Sequence, residues 1–501
     1  MTKAAGGHPN RGIFSSISIL ALFLAVLSGC LVGPNYRRPD TKVPDKWSGQ
    51  AAATPAQPSK TTTNPVSLVE WWQSFNDPIL ASLVEIAIRS NLDLRLAEAR
   101  IFQARAARGV VGAPLFPQVN ASFSYARNWS SQNAQSTGTI SGAAGTTPQL
   151  SFSPKGVQDL FKLGFDSTWE LDIFGGTRRN LEAATADLRA AVEDRRDVLV
   201  TLLGDVGTNY LNLRGFQEQI AIARKNLVAQ RRTAEIIRKR FEAGFISALD
   251  VANAYAQVST TESTIPPLES SARAAIYALG VLLGQEPAFL EQDLLKKSPI
   301  PPTPPEIPLG LPSDLLRRRP DIRRSEAQLH AATARVGVAT ADLFPKFSLI
   351  GTSGLSSADL MKLMDWRSKF WSVGPSVTWP IFAGGRIYWN IKVQNALQEQ
   401  ALITYQKAVL TALKDVETAL VAYAKEQERR KVLTEAVAYN RRAVDLSTKL
   451  YLVGKSDFLN VLIAQRSLFA SEDALAQSTR TVDTNLIALY KALGGGWEKT
   501  P

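Results

Sequence analysis

The residue of this sequence with the most defined chemistry is a lone cysteine near the amino terminus. Cys30 is the only cysteine among the 501 residues, and the small residues Ser28 and Gly29 precede it, after a basic start and the apolar run 13–27. Small residues before a cysteine permit cleavage there, and its thiol is the nucleophile that takes a diacylglycerol. The sequence therefore predicts a signal peptide over 1–29 and S-diacylglycerol and N-acyl groups on Cys30. No other cofactor is predicted.

The residues that follow indicate where the mature chain is held. Leu31 comes next, whereas an aspartate at that position would favour retention at the inner membrane. We predict a lipid anchor in the outer membrane of a Gram-negative bacterium, with the chain extending into the periplasm. After residue 30 no run reaches the roughly 18 apolar residues that a membrane helix needs, so a crossing would have to use strands.

Charge and composition argue against several classes of function. The net charge is +12, but basic residues alternate with acids along helical faces, which indicates solvated surfaces rather than a nucleic-acid site. The dense cluster Arg317–Arg319 is assigned to the same solvated class. His330 aligns with Phe102 on an apolar helix face, which predicts a packed histidine. Gly454–Ser456 lacks the earlier glycine of a phosphate loop. Neither an enzyme nor a metal site is predicted.

The sequence is a tandem duplication. Each half carries the same segments in the same order, and from Trp169 onward the halves keep a nearly constant register of 210 residues. A duplication of this length gives two similar units arranged around a shared axis. Matching positions include Leu115 and Leu343, Phe116 and Phe344, Trp169 and Trp379, Phe174 and Phe382, and Gly244 and Gly454.

Four segments alternate apolar and polar residues. This period of two is typical of strands with one apolar and one polar face, and about ten residues span a bilayer when the strand is tilted. Pro375 interrupts the last segment and is tolerated only at an edge or a bulge. The Ser/Gly-rich segment 130–153 predicts a mobile loop. The four predicted strands lie within 119–129, 161–173, 347–355 and 371–381.

A long helical segment follows each pair of strands. These segments begin at the double glycines Gly175–Gly176 and Gly384–Gly385 and end at Gly244 and Gly454, which is about 100 Å at 1.5 Å per residue. Apolar residues step by four and three at matching positions of both segments, as in a coiled-coil seam. The other predicted helices are 77–113, 250–284 and 457–494.

These elements give the predicted organisation of the chain. It comprises a signal peptide (1–29), a lipid-anchored N-terminal arm (30–76), a first repeat (77–284) with a β-hairpin (115–174), a Pro-rich equatorial linker (285–311), a second repeat (312–494) with a β-hairpin (343–382), and a C-terminal tail (495–501).

Four amphipathic strands cannot close a barrel by themselves. An open sheet edge in lipid leaves backbone groups without hydrogen-bond partners, and about eight strands make the smallest membrane barrel. Several protomers must therefore share one barrel, eight strands from two copies or twelve from three. The apolar strand faces would meet lipid and the polar faces would line the lumen.

Several motifs together resemble those of one family. The chain resembles the TolC-type outer-membrane efflux proteins, or outer membrane factors, in particular their NodT-type lipoprotein branch. The resemblance covers nearly the whole chain after the signal. Its motifs are Cys30-Leu-Val-Gly33-Pro34-Asn-Tyr36, Trp71-Trp72-Gln-Ser-Phe75-Asn-Asp77-Pro78, Leu315-Leu316-Arg-Arg-Arg-Pro320-Asp321 and both Leu-Phe-Pro repeats.

The resemblance implies a mainly α fold with a membrane β-barrel. Three protomers, each giving four strands, would form a shared twelve-stranded barrel continued by a twelve-helix periplasmic tunnel. The implied function is a passive exit duct for drugs and other small toxic molecules, in a tripartite pump with a periplasmic adaptor and an inner-membrane transporter. A duct for type I-like polypeptide secretion stays open. A periplasmic coiled-coil adaptor lipoprotein would leave the four strands unexplained.

The resemblance also assigns the two turns that end the long helices. In such proteins these turns form the periplasmic aperture and dock the adaptor. Asp250 matches an acidic family position, whereas its repeat-mate is Asn460, so a second acidic ring is in doubt. An ordinary role as solvated turn residues is the alternative. The candidates are Arg240, Phe241, Gly244 and Asp250 in the first turn and Tyr451, Gly454, Lys455, Asp457 and Asn460 in the second.

Overall fold

The computed structural model describes residues 31–48, 60–62, 68–129, 157–304, 306–308 and 311–498. The predicted signal peptide, Cys30 and the predicted loop 130–153 lie outside the described residues. The chain forms two compact units. The first, here the strand unit, draws its described residues from Met1–Tyr36, Ala106–Thr185 and His330–Glu399, and the second, the helical unit, from Arg37–Arg105, Ala186–Leu329 and Gln400–Pro501.

Helices dominate the described residues. No helix among them is long and apolar enough to cross a membrane. The helices are α1 (Pro78–Ser90), α2 (Leu92–Gly112), α3 (Gly176–Glu242), α4 (Ala248–Ser263), α5 (Ile265–Leu282), α6 (Glu291–Leu294), α7 (Pro312–Arg318), α8 (Pro320–Ala341), α9 (Arg386–Leu452) and α10 (Phe458–Ala492). The strands are β1 (Lys60–Thr62), β2 (Gln118–Trp129), β3 (Val157–Leu171), β4 (Glu306–Pro308), β5 (Lys346–Ser357) and β6 (Lys369–Thr378).

The strand unit contains one antiparallel sheet in the order β2-β3-β5-β6. These are the four alternating segments of the sequence, and Pro375 lies in the edge strand β6. The two hairpins are built alike at their base. The indole nitrogen of Trp169 donates to the carbonyl of Leu115 at 3.0 Å, and that of Trp379 donates to Leu343 at the same distance. Matching positions of the duplication therefore make the same hydrogen bond.

The core of the helical unit follows the seam that the sequence predicts. The steps of four and three on α3 are fully buried at Leu199, Leu203, Val206, Tyr210 and Leu213. Each of these side chains packs in one apolar cluster that also receives the matching face of α9. Burying a leucine or valine in this way contributes about 1.5–3 kcal/mol. The two long helices are thus held along a stripe that a 3.5-residue period defines.

Two helices that the sequence predicts as continuous are each divided. The predicted helix 77–113 breaks at Asn91, whose side chain donates to the carbonyl of Leu282 and accepts from the amide of Leu94. The matching position in the second repeat, Arg319, separates α7 from α8 before Pro320. The return helix of the first repeat breaks at Thr264, because the two prolines that follow cannot donate backbone hydrogen bonds.

Two features were not predicted. In the arm before residue 76, Trp47 is 5% exposed and packs into the core of the helical unit. Strand β1 of this arm pairs in parallel with β4 of the Pro-rich linker.

Arg319, assigned by sequence to a solvated cluster, is instead half-buried. Its guanidinium donates to the Asp321 carboxylate at 2.6 Å and to the carbonyl of Ala492 at 2.9 Å. That assignment was wrong for Arg319, because its guanidinium caps the carboxyl-terminal end of α10 by donating to the carbonyl of Ala492.

The linker is also fixed by a buried carboxyl group on α10. Asp483 is fully buried, and its Oδ1 accepts from the Thr303 hydroxyl at 2.8 Å. The same hydroxyl accepts from Arg430 at 3.2 Å. Burial raises the pKa of Asp483 to about 7, against the opposing effects of the Thr303 hydrogen bond and the Arg430 charge.

We expect this carboxyl group to make stability depend on pH. Because its folded-state pKa lies above the ordinary value of 3.8, the stabilising contribution is complete below about pH 4 and is lost as the pH rises towards 7. The loss is at most about 1.4 kcal/mol per pH unit. Thermal unfolding followed by circular dichroism between pH 4 and 8 should show a fall in Tm that Asp483→Asn lacks. Parallel pH profiles of the two proteins would contradict the assignment.

Candidate functional site

Both long helices end in the same backbone motif. In the first turn the amide of Phe245 donates to the carbonyl of Arg240, and the amide of Gly244 donates to Phe241. In the second turn Lys455 and Gly454 repeat both bonds, to Leu450 and Tyr451. The glycines have φ values of +77° and +74°, in the left-handed region where a Cβ is disfavoured. Both turns are Schellman motifs, in which amides that follow the helix donate to carbonyls of its last turn. The chain reverses sharply there.

Arg240 joins the two turns. Its guanidinium donates to the carbonyls of Tyr451 and Leu452 at 3.5 and 3.3 Å, and it lies 4.7 Å from the centre of the Tyr451 ring. A cation near the last carbonyls of a helix is favoured by the helix dipole. The end of α3 therefore caps the end of α9. The second repeat carries Leu450 at the position that matches Arg240. This side chain cannot donate hydrogen bonds from the end of α9 to the end of α3.

An apolar cluster, here the tip cluster, supports the two turns. Tyr451 and Phe458 are buried, with ring centres 5.7 Å apart. They pack with residues of α3, α4 and α10, namely Leu227, Ala234, Ile237, Ala254, Val258, Val461 and Leu462. The tip cluster is separate from the main core of the helical unit, so the turns have an apolar support of their own.

The acidic candidates lie at the starts of helices, and of the two only Asp250 makes a capping hydrogen bond. Asp250 is the third residue of α4, and its carboxylate accepts from the amide and the hydroxyl of Ser247, at 3.3 and 3.1 Å. This is a capping box, which stabilises the helix start. In the second turn the order of the residues is reversed. Asp457 occupies the cap and the uncharged Asn460 the third position, where its amide donates to the Ser456 hydroxyl at 3.0 Å.

The outer surface of the turns is apolar. Phe241 is 43% exposed although its repeat-mate Tyr451 is buried. Lys455 is also exposed, and within the described part of one chain neither it nor Asp457 forms an ion pair. Clustered exposed apolar side chains indicate a surface that meets a partner. The other exposed apolar residues of the turns are Phe245, Leu249, Val453 and Leu459.

A second arrangement, in the strand unit, holds the residues that follow Cys30. Arg179 is 2% exposed, and its guanidinium donates to the carbonyl of Val32 at 3.2 Å and to the side chain of Asn35 at 2.6 Å. The amide of Val32 donates to the carbonyl of Phe174 at 3.2 Å. We call these residues the amino-terminal clasp. The sequence gives no local signal for Arg179, because its partners lie more than 140 residues away.

The clasp also explains the Gly33 and Tyr36 positions of the amino-terminal motif. Gly33 has a φ of +85°, and a Cβ there would lie 2.4 Å from the Cα of Gly337. The Tyr36 ring stacks on His330 with centres 4.4 Å apart.

The histidine is packed, as the sequence predicts. His330 lies 2.8 Å from a carboxylate oxygen of Glu182. Burial disfavours the charged form of Glu182, but hydrogen bonds from His330 and Arg179 outweigh it and lower the pKa of this carboxyl group. In the described ranges no group of three or more histidine, cysteine or acidic residues could hold a metal ion.

Four amphipathic strands and two 67-residue helices in one chain define an outer-membrane channel that combines a barrel with long helices. The sequence profile described as outer membrane efflux protein matches residues 83–285 and 311–495, and the chain belongs to this family.

Relatives and a solved structure agree with this membership. Nodulation protein T of Rhizobium leguminosarum bv. trifolii is 31% identical over 475 residues, which are 95% of this chain and 96% of that protein. The pyoverdine export outer membrane protein OpmQ of Pseudomonas aeruginosa is 36% identical over 430 residues, 86% of this chain and 88% of that protein. The solved outer-membrane channel OprN superposes with a TM-score of 0.84 at 36% identity, covering 93% of this chain and all of that one.

Membership confirms the family resemblance, the fold class and the location that the sequence predicts. The protein is the outer-membrane channel component of an efflux pump, and it extends into the periplasm. It is a homotrimer of mainly α protomers with a shared membrane β-barrel, and it works with a periplasmic adaptor and an inner-membrane transporter. It conducts passively and is not an enzyme.

Replacing Arg240 by leucine tests the contact between the turns, because leucine is the residue that the second repeat carries at the matching position 450. The change removes two hydrogen bonds and the cation–π contact, and we expect it to destabilise the helix ends by about 1 kcal/mol. Hydrogen–deuterium exchange at 449–455 should accelerate.

Arg240→Lys is the control for this test, since it keeps the charge without the forked donor and should give an intermediate rate. Unchanged exchange in Arg240→Leu would show that the contact does not hold the helix ends.

Proposed function

We propose that the paired turns form the periplasmic aperture of this channel and the docking site of the adaptor. The observation that carries the proposal is the junction at Arg240, which fastens the end of α3 to the end of α9. A junction between helix ends is suited to a gate, because its few polar contacts can break without disturbing the buried seam. The exposed apolar residues beside it are suited to a protein partner.

The charges of the turns support a closed resting state. In a trimer each copy contributes Asp250, Asp457 and Lys455 to the same level around the threefold axis. Asp457 and Lys455 have opposite charges and are exposed, so they are available to neighbouring protomers. We propose that they pair across the aperture. We also propose that the cargo consists of small toxic molecules, which is in keeping with a relative named for toluene efflux.

Charge removal at the turns should open the channel. We expect Asp457→Ser to raise single-channel conductance in planar bilayers, because the proposed ion pair with Lys455, which favours closure, is lost. Serine is a common N-cap residue and occupies the matching position of the first repeat, Ser247, so the start of α10 should be retained.

Glu435→Gln, on an exposed position of α9, controls for charge loss elsewhere on the chain. If Asp457→Ser does not change conductance, the aperture lies elsewhere, while the fold stands.

We further propose that Cys30 carries the lipid anchor. The clasp supports this, because Val32 is bound to Phe174, three residues past the end of β3. A lipid two residues before Val32 would therefore start beside the end of a membrane strand. An acyl chain needs that position to enter the nearer leaflet, where each buried CH₂ contributes about 0.8 kcal/mol.

The lipid can be tested directly. Radiolabelled palmitate should be incorporated into the native chain and not into Cys30→Ser, and the intact mass of the native chain should exceed that of residues 30–501 by the mass of the diacylglycerol and N-acyl groups. Asn35→Ala, which removes one partner of Arg179, is the control and should keep the label. Label retained in Cys30→Ser would exclude this cysteine as the acceptor.

A further inference from the structure

The polar face of the four-stranded sheet has two distinct ends. This face lines the lumen of the barrel, because the opposite face is apolar and meets lipid. The periplasmic helices α2 and α3 adjoin the end of the sheet where Gln118 lies opposite Thr168. The other end, where Trp129 lies opposite Val157, is therefore the extracellular end of the lumen wall.

Along β3 the charge on the lumen face changes sign. Glu170 and Asp166 come first from the helix end, and Asp166 accepts from the Ser122 hydroxyl at 3.3 Å. Lys162 follows four residues further out, which is about 13 Å at 3.3 Å per residue. Beyond it on the same face lies Leu160, which is 42% exposed. On this strand the lumen wall is thus acidic near the helices and both basic and apolar near the exit.

Lys162 lies against an aromatic ring of the same wall. Its Nζ is 4.9 Å from the centre of the Phe370 ring on β6. Its side chain reaches this ring across β5, where Gly354 lies opposite Phe370 on one side and opposite Gly164 on the other. A Cβ on Gly354 would collide with the carbonyl oxygen of Leu163. The glycine therefore keeps the space between the ammonium group and the ring free of side chains.

The charge of Lys162 is not neutralised by a carboxylate. Among the described residues it forms no ion pair, and its contact is with the face of a ring. A second lysine of the lumen face, Lys346, lies at the helix end and is 3.2 Å from a carboxylate oxygen of Asp342. In a trimer three Lys162 side chains face one lumen, and rings of basic side chains select anions in pores.

We propose that Lys162 and Phe370 form a binding site for anionic aromatic molecules at the extracellular end of the lumen. The ammonium group pairs with a carboxylate, sulfonate or phosphate of the molecule. The ring of Phe370, together with Leu160, contacts its aromatic part. The site names a chemical class of cargo and so rests on the proposed small-molecule cargo. It does not depend on the aperture.

Binding can be measured on the purified trimer in a nonionic detergent. The probe is pyrenetetrasulfonate, a fluorescent aromatic anion whose anisotropy rises when it binds. Lys162→Gln should weaken binding about tenfold, because a charge-assisted hydrogen bond is lost. Lys162→Arg keeps the charge and should bind the probe as the native protein does. Phe370→Leu should weaken binding about threefold, since leucine keeps the apolar volume without the ring.

Lys346→Gln is the matched control, since it removes the same charge from the lumen face at the helix end. Native-like binding in this control, with the loss in Lys162→Gln, supports the site. Equal losses in the two variants would show only a general attraction to a basic protein and would overturn it, as would unchanged binding in Lys162→Gln. Unchanged binding in Phe370→Leu would contradict the role of the ring.

The outcome is independent of the proposed aperture, because binding rather than current is measured. Unchanged conductance in Asp457→Ser would reject the aperture and leave the exit site standing. Loss of the exit site would in turn leave the aperture standing.

Discussion

The constraint on which this structure depends is that no backbone group of a membrane strand can be left unpaired in lipid. Within one chain the four strands pair with one another, and the outer edges of β2 and β6 are left without a partner strand. A single chain with this sheet is therefore incomplete in a membrane, and its need for further copies follows from hydrogen-bond satisfaction rather than from any particular side-chain contact.

The two repeats differ where their surroundings differ. A Cβ at Gly337 would lie 3.0 Å from the side chain of Arg179 in the amino-terminal clasp, whereas the repeat-mate Gly109 has open space around it. The guanidinium of Arg240 lies over Tyr451 within the chain, whereas the matching residues Leu450 and Phe241 are exposed and apolar. The two repeats therefore differ in polarity at matching positions of their helix ends.

The sequence predicted those parts of the fold that periodicity encodes. Steps of four and three placed Leu203 and Val206 in the core of the helical unit, and alternation located all four membrane strands, because both patterns are local. Contacts between distant segments could not be predicted in this way. The break at Asn91 depends on a carbonyl 191 residues away, and the burial of Arg319 depends on the end of α10. The two turns were assigned from family resemblance, and the role of Arg240 emerged only when both turns were seen together.

The starts of α4 and α10 bear on how the proposed charged aperture can coexist with stable helices. An acidic side chain at a helix start is favoured by the dipole. Asp250 also accepts from the amide of Ser247, whereas Asp457 stands at the N-cap of α10 without a side-chain capping bond. The helix supplies part of the counter-charge, which lowers the cost of gathering like charges from three protomers near one axis. A carboxylate at the same level in a helix interior would have no such compensation. The turn is therefore the position in a long helical hairpin where acidic residues can face a pore without unfolding the segment that carries them.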